Sequence, residues 1–177
     1  MLFNSLAFAL FLPVVFAGYW LIGRRVGSLR WQNLFVVAAS YVFYGWWDVR
    51  FLLLIALTTL CSLLSGLGIA RARRQAGRRA VLWSNIALNL GILGLFKYYN
   101  FFAENLRTLL APTGIMPDSV TLELILPVGI SFYTFQALSY SIDVYRGRIA
   151  PTRDAVAFFA FISFFPQLVA GPIERAT

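Results

Sequence analysis

The stretch PVGISFYTFQALSYSIDVY (residues 127–145), followed by AVAFFAFISFFPQLVAGPI (residues 155–173), decides how the chain is read. Each run is close to the ~20 residues that a helix needs to cross a bilayer. Neither is uniform hydrocarbon. The first carries Ser131, Thr134, Gln136, Ser139, Ser141 and Asp143. The second is interrupted by Pro166, Gln167, Gly171 and Pro172 and runs into Glu174 and Arg175. Polar and ionisable groups at membrane depth are costly, and they face a protein interior or a wet cavity. The earlier apolar runs are therefore expected to frame this polar stretch.

Composition supports a membrane setting. The chain is 60% hydrophobic and only 12% charged, with a mean hydropathy of +0.75. A soluble domain is about 25% charged, so this chain cannot coat a globule with solvated groups. The apolar runs are continuous rather than alternating, which excludes a barrel. Backbone groups without water must then be satisfied in helices. The expected fold is all-α, a polytopic membrane protein of five to six transmembrane helices, with residues 1–177 as one part of a transmembrane domain. The net charge of +8 comes almost entirely from arginine. These arginines fall in short clusters between apolar runs, not on one face with stacking aromatics, so no nucleic acid partner is expected. Cys61 is the only cysteine, which excludes a disulfide framework or a CxxC motif. No metal site is expected, and the chain contains no histidine.

The runs read in order as spans 2–22, 31–47, 51–70, 81–102, 127–145 and 155–173. In the third, Ser62, Gly66 and Ala70 recur every four residues, a spacing that suits close helix contact. In the fourth, Asn85 and Asn89 share a face, and they suit either inter-helix hydrogen bonding or a site. Residues 103–123 form the one long polar connection, whose start, Glu104 to Leu110, is expected to be a short interfacial helix. The loops after spans one, three and five hold Arg24, Arg25 and Arg30; Arg71, Arg73, Arg74, Arg78 and Arg79; and Arg146, Arg148 and Arg153. The other side holds only Arg50, Arg107 and Lys97. The positive-inside rule places the first set in the cytoplasm and the N-terminus outside.

On the fifth span, Gln136, Ser139, Asp143 and Arg146 step by three, four and three and so share one face. An interface ion pair between Asp143 and Arg146, or a cavity lining, accounts for this stripe. Gln136 lies deeper. In the last run Pro166 removes a helix hydrogen bond, and Gly171-Pro172 ends the helix. A re-entrant segment and a proline-kinked sixth span both fit.

Five blocks carry a resemblance: SYVFYGWW (40–47), FKYYNFF (96–102), GISFYTFQ (129–136), SIDVYRG (141–147) and FPQLVAGPI (165–173). Their order and content resemble the N-terminal portion of the membrane-bound O-acyltransferases, most closely the bacterial alginate O-acetyltransferase branch. Teichoic acid D-alanyl transferases and peptidoglycan O-acetyltransferases are similar to the pattern as well. The resemblance implies a partial ring of helices around a central funnel in the bacterial inner membrane. It implies transfer of an acyl group, typically acetyl, from a cytoplasmic donor (acetyl-CoA or an acyl carrier) toward an extracytoplasmic polysaccharide. The donor is a substrate, and no cofactor is held. Membrane lipid, periplasmic acetyl-transfer proteins and the polysaccharide acceptor are the implied partners. Candidate residues for the funnel or substrate path are Gln136, Ser139, Asp143, Gln167 and Arg175.

Family members use a histidine base deep in the funnel. A chain without histidine cannot supply one, so these 177 residues are expected to be an inactive N-terminal fragment of a catalytic parent. As a partial ring it is also expected to leave Asn85, Asn89, Gln136 and Asp143 open to lipid and to fold poorly alone. A transport component, which would show an internal repeat, and a non-catalytic partner of a histidine-bearing chain are the other readings.

Overall fold

A computed structural model of the chain describes residues 5–46, 48–110 and 129–170. Those residues form seven helices and no strand: α1 (Leu6–Val26), α2 (Leu29–Gly45), α3 (Val49–Arg71), α4 (Gln75–Leu110), α5 (Ile130–Tyr145), α6 (Ala155–Ser163) and α7 (Phe165–Ala170).

Local chemistry sets the ends. Ser5 caps α1 by accepting from the Phe8 amide, and Gly27, at φ 62°, closes it. Asp48 caps α3 by accepting from the Arg50 amide at 2.8 Å, and Asp154 caps α6 through the Ala157 amide at 3.1 Å. Each cap satisfies one of the orphan donors of a first turn. Arg24 and Arg25 fall in the last turn of α1, where cations complement the helix dipole.

α1, α3 and the Gln75–Tyr99 part of α4 are long and apolar enough to cross a membrane. α2 and α5, at 17 and 16 residues, are shorter than the ~20 of a straight crossing. α4 differs from expectation. It starts at Gln75, so Arg78 and Arg79 lie on the helix rather than in a loop, and it runs on to Leu110. The separate interfacial helix expected at 104–110 is instead the continuation of α4. Its 36 residues make a rod of about 54 Å, well beyond the ~30 Å hydrocarbon layer.

α3 sits at the centre, touching α2, α4, α5 and α6. Its expected small-residue face is present at Ser62 and Gly66 but not at Ala70, which is exposed. Beyond Gly66 the buried position is Ile69. Gly66 lies directly under Tyr140: a methyl group there would come within 2.6 Å of the phenol oxygen. Tyr140 in turn stacks on Phe158 at 4.5 Å and accepts from the Thr152 amide at 3.1 Å. One ring thus joins α3, α5, α6 and the 146–154 connection. The first turn of α4 holds the far end of α5. Arg78 donates to the Tyr145 carbonyl at 3.1 Å and lies over its ring, while Gln75 and Arg79 donate to its hydroxyl. That carbonyl is one of the unpaired acceptors of a helix C-terminus.

Helices in lipid gain little from hydrophobic burial and associate through close packing and hydrogen bonds. Gly66→Leu is therefore expected to destabilise the chain by about 1–3 kcal/mol through overpacking against Tyr140. Thermal unfolding in detergent checks this, with Gly68→Ala, whose methyl would touch only the Val81 side chain at 3.3 Å, as the milder control.

Candidate functional site

Three groups of buried polar side chains lie in the bundle, and they differ in whether their hydrogen bonds are used. The first joins α3, α4 and α5. Asn85 donates to Ser141 at 2.9 Å and shares a 3.4 Å contact with Ser62, and Asn89 donates to the Asn85 side chain at 3.0 Å. Asn89 also donates to the Asn85 carbonyl at 2.9 Å. Asn85 bonds across helices, the first of the two readings, whereas Asn89 bonds mainly to Asn85 of its own helix and its side-chain oxygen has no partner among the described residues. Asn85, Asn89, Gln136 and Asp143 are 5%, 0%, 2% and 5% exposed. The expectation that they lie open to lipid is overturned, because α3, α5 and α6 close over them.

The second group surrounds the break between α6 and α7. An unbroken helix would bond the Phe165 amide to the Phe161 carbonyl, four residues back. At Phe164 the backbone turns to ψ 107° and that bond is lost. Both freed groups are taken up by side chains of other helices. The Phe165 amide donates to Ser40 Oγ of α2 at 3.3 Å, and Gln136 Nε2 of α5 donates to the Phe161 carbonyl at 3.2 Å. Pro166 sits in the first turn of α7, where its missing N–H has no helical partner to lose. The Phe165 ring packs against Phe43 and Phe11 at 5.2 and 5.3 Å, which pins α7 to α1 and α2. The break is therefore a fixed feature of this bundle.

The third group lies one helical turn away. Tyr44 follows Ser40 by four residues on α2, and Tyr133 precedes Gln136 by three on α5. The hydroxyls of Tyr44, Tyr133 and Thr134 are buried without a hydrogen-bond partner among the described residues, as is that of Tyr41. Such groups cost about 1–3 kcal/mol each, so each calls for an explanation.

The candidate residues read from sequence are distributed around this region. Gln136 holds the α6 carbonyl. Ser139 turns its hydroxyl to the Gln136 carbonyl of its own helix at 2.8 Å. Asp143 pairs with Arg148 at 3.5 Å. The expected Asp143–Arg146 pair is thus corrected: Arg146 caps α5 and is exposed, while the turn after it brings Arg148 back to Asp143. Gln167 lines a groove between α1, α2 and α6–α7. Arg175, Glu174, Gly171 and Pro172 lie outside the described residues. Ser40, Tyr44, Tyr133 and Thr134 were not singled out as site residues, although all four stand in the SYVFYGWW and GISFYTFQ blocks. Among the described residues no group of histidine, cysteine, aspartate and glutamate side chains is arranged to hold a metal.

Because Gln136 and Ser40 each satisfy a backbone group freed by the break, Gln136→Leu and Ser40→Ala are each expected to cost about 1–3 kcal/mol. Unfolding of the two single variants and the double variant, with the double costing less than the sum, would show that they serve one break. Unchanged stability in both singles would contradict it.

No family model matches the chain, and no solved structure matches it. Among curated proteins it is 43% identical, over 99% of its length, to the probable alginate O-acetylase AlgI of Pseudomonas aeruginosa, and equally to that of Pseudomonas putida. It is 32% identical, over 98% of its length, to the peptidoglycan O-acetyltransferase of Helicobacter pylori. The chain covers 33%, 35% and 37% of these three proteins, so it spans about a third of the length of the relatives it matches. The resemblance carried by the five sequence blocks is thereby borne out, and the chain is a homologue of the alginate O-acetylases along nearly all of its own length.

Proposed function

We propose that the chain is part of an O-acyltransferase of the bacterial inner membrane that moves acetyl groups from a cytoplasmic donor to an extracytoplasmic polysaccharide of the alginate type. The observation that carries this reading is the identity of 39–43% to five alginate O-acetylases, against 32% to a peptidoglycan enzyme. Peptidoglycan O-acetyl transfer is the second reading, and the same figures rank it below the first. Acetyl-CoA or an acyl carrier is the proposed donor, and periplasmic acetyl-transfer proteins are the proposed partners. Five to six crossings, with the N-terminus outside, complete the reading, and the distribution of arginines supports it.

In this reading the chain supplies the wall of the acyl path and not its base. Acyl transfer needs a group to take the proton of the attacking hydroxyl, and the chain holds no histidine. The base in this reading is the histidine that the family resemblance implies, which is not among these 177 residues, and the chain by itself is proposed to be inactive. What this chain offers the reaction is a pair of phenolic donors. The hydroxyls of Tyr44 and Tyr133 have no partner among the described residues, and their O–H groups suit an acyl carbonyl that gains negative charge in transfer. Donors fixed at such an oxygen in a dry site are worth ~10²–10³ in rate.

In the complete enzyme, Tyr44→Phe and Tyr133→Phe are expected to lower acetyl transfer at least tenfold with melting temperature unchanged or raised, because each removes an idle buried hydroxyl. Undiminished transfer to mannuronate polymer by both variants would take the two phenols out of the path. For the orientation, a phosphatase reporter fused after Arg74 is expected to be inactive, and one fused after Gly114 active. The reverse pattern would invert the topology.

A further inference from the structure

α1, α2 and the α6–α7 pair enclose a groove of about 600 Å³, within the roughly 300–1,000 Å³ that small-ligand sites occupy. Its walls are apolar: Leu12, Phe16 and Trp20 on α1, Val36 on α2, and Ala160 and Phe164 on α6 and its end. One end is different. Asn33 of α2 lines it, and its amide makes no hydrogen bond with any described residue. One turn beyond this end, each of the three walls carries an arginine. Arg24 follows Trp20 by four residues and shares its face, Arg30 precedes Asn33 by three and shares its face, and Arg153 stands in the connection just before the N-cap of α6, whose first turns include the wall residue Ala157. All three arginines are exposed, and none pairs with a carboxylate among the described residues. The nearby carboxylate of Asp154 is committed to the Ala157 amide.

An apolar slot that opens onto an unpartnered amide and three unpaired guanidinium groups has the chemistry of a two-part guest. The slot takes a hydrocarbon chain. Guanidinium groups grip phosphate oxygens with paired N–H donors, and the Asn33 amide, which lines the slot, can donate to an ester carbonyl. We infer that this groove is a fixed binding site for one anionic phospholipid, with an acyl chain along α1 and α6 and its phosphate held by Arg24, Arg30 and Arg153. The groove shares the α6–α7 break and Gln167 with the proposed acyl path, but Tyr44 and Tyr133 are not among its lining residues and the lipid site does not use them. It requires only that the arginine end lies at a membrane surface.

The test uses the full 177-residue chain reconstituted with equal amounts of phosphatidylglycerol and phosphatidylcholine, extracted in detergent and analysed for retained lipid by native mass spectrometry. The expected result is one retained phosphatidylglycerol, preferred at least tenfold over phosphatidylcholine. Exchanging one of Arg24, Arg30 and Arg153 for glutamine is expected to lower that preference by about fivefold, the equivalent of the ~1 kcal/mol a basic residue contributes near an anionic surface, and exchanging all three to bring it to parity. Ala160→Trp, which fills the slot, is expected to abolish retention. Because the three arginines are at the surface, their replacement leaves folding intact and the test readable even where Ala160→Trp unfolds. Equal retention of both lipids, no retained lipid, or a preference untouched by the arginine exchange would each overturn the site.

Discussion

No water reaches the hydrocarbon layer, so every backbone group that leaves a helix there must find its partner inside the protein. The break at Phe164 is where this constraint bears hardest. It frees one amide and one carbonyl in the middle of an apolar segment, and two helices remote in sequence each give up a side chain to receive them. Ser40 reaches across 125 positions and Gln136 across 25. The positions of α2 and α5 beside α6 are thereby coupled to a single irregular peptide. The aromatic packing of Phe165 on Phe43 and Phe11, the burial of α5 and the placing of Tyr44 and Tyr133 follow from that coupling.

Much of the helical plan was legible because it rests on length and polarity alone. Leu6–Val26 and Val49–Arg71 are apolar enough to declare themselves, and Pro166 announced irregularity in the last run. The extent of α4 was not legible. Arg78 and Arg79 look like loop residues until Tyr145 is seen to receive them, and that contact spans 67 positions. The site was legible only in part. Gln136 stood out as a deep amide, but its use as a splint depends on a carbonyl orphaned elsewhere, which no local pattern encodes. For Asp143 the sequence left an ion pair with Arg146, suggested by helical spacing, and a cavity lining both open. The helix ends at Tyr145, so spacing ceased to apply at the next residue, and the turn through Gly147 (φ 72°) delivered Arg148 instead.

The unpartnered tyrosines show why side-chain type alone misleads in membrane helices. By residue type alone, aromatics at a helix end such as Tyr41, Tyr44 and Trp46 at the end of α2 suit an interfacial reading, with polar ends at the headgroup level. Trp46 is exposed as that reading requires, but Tyr44 is buried with its hydroxyl idle. The distinction lies in rotation about the helix axis, which three-dimensional packing sets.

The asparagine network has a temporal side. Ser62, Asn85 and Asn89 belong to the α3–α4 hairpin, but Ser141 arrives only with α5. The 56 positions between Asn85 and Ser141 take roughly 3–11 s to synthesise at about 5–20 residues per second. During that interval the hairpin can satisfy its amides internally, through the bonds that Asn85, Asn89 and Ser62 make with one another. The hairpin thus meets part of its own hydrogen-bond demand before α5 is made. It still carries one unfilled donor, the Asn85 side-chain N–H that bonds the Ser141 oxygen once α5 arrives. The chain thus encodes, in four small polar residues, an order of assembly as well as a final shape.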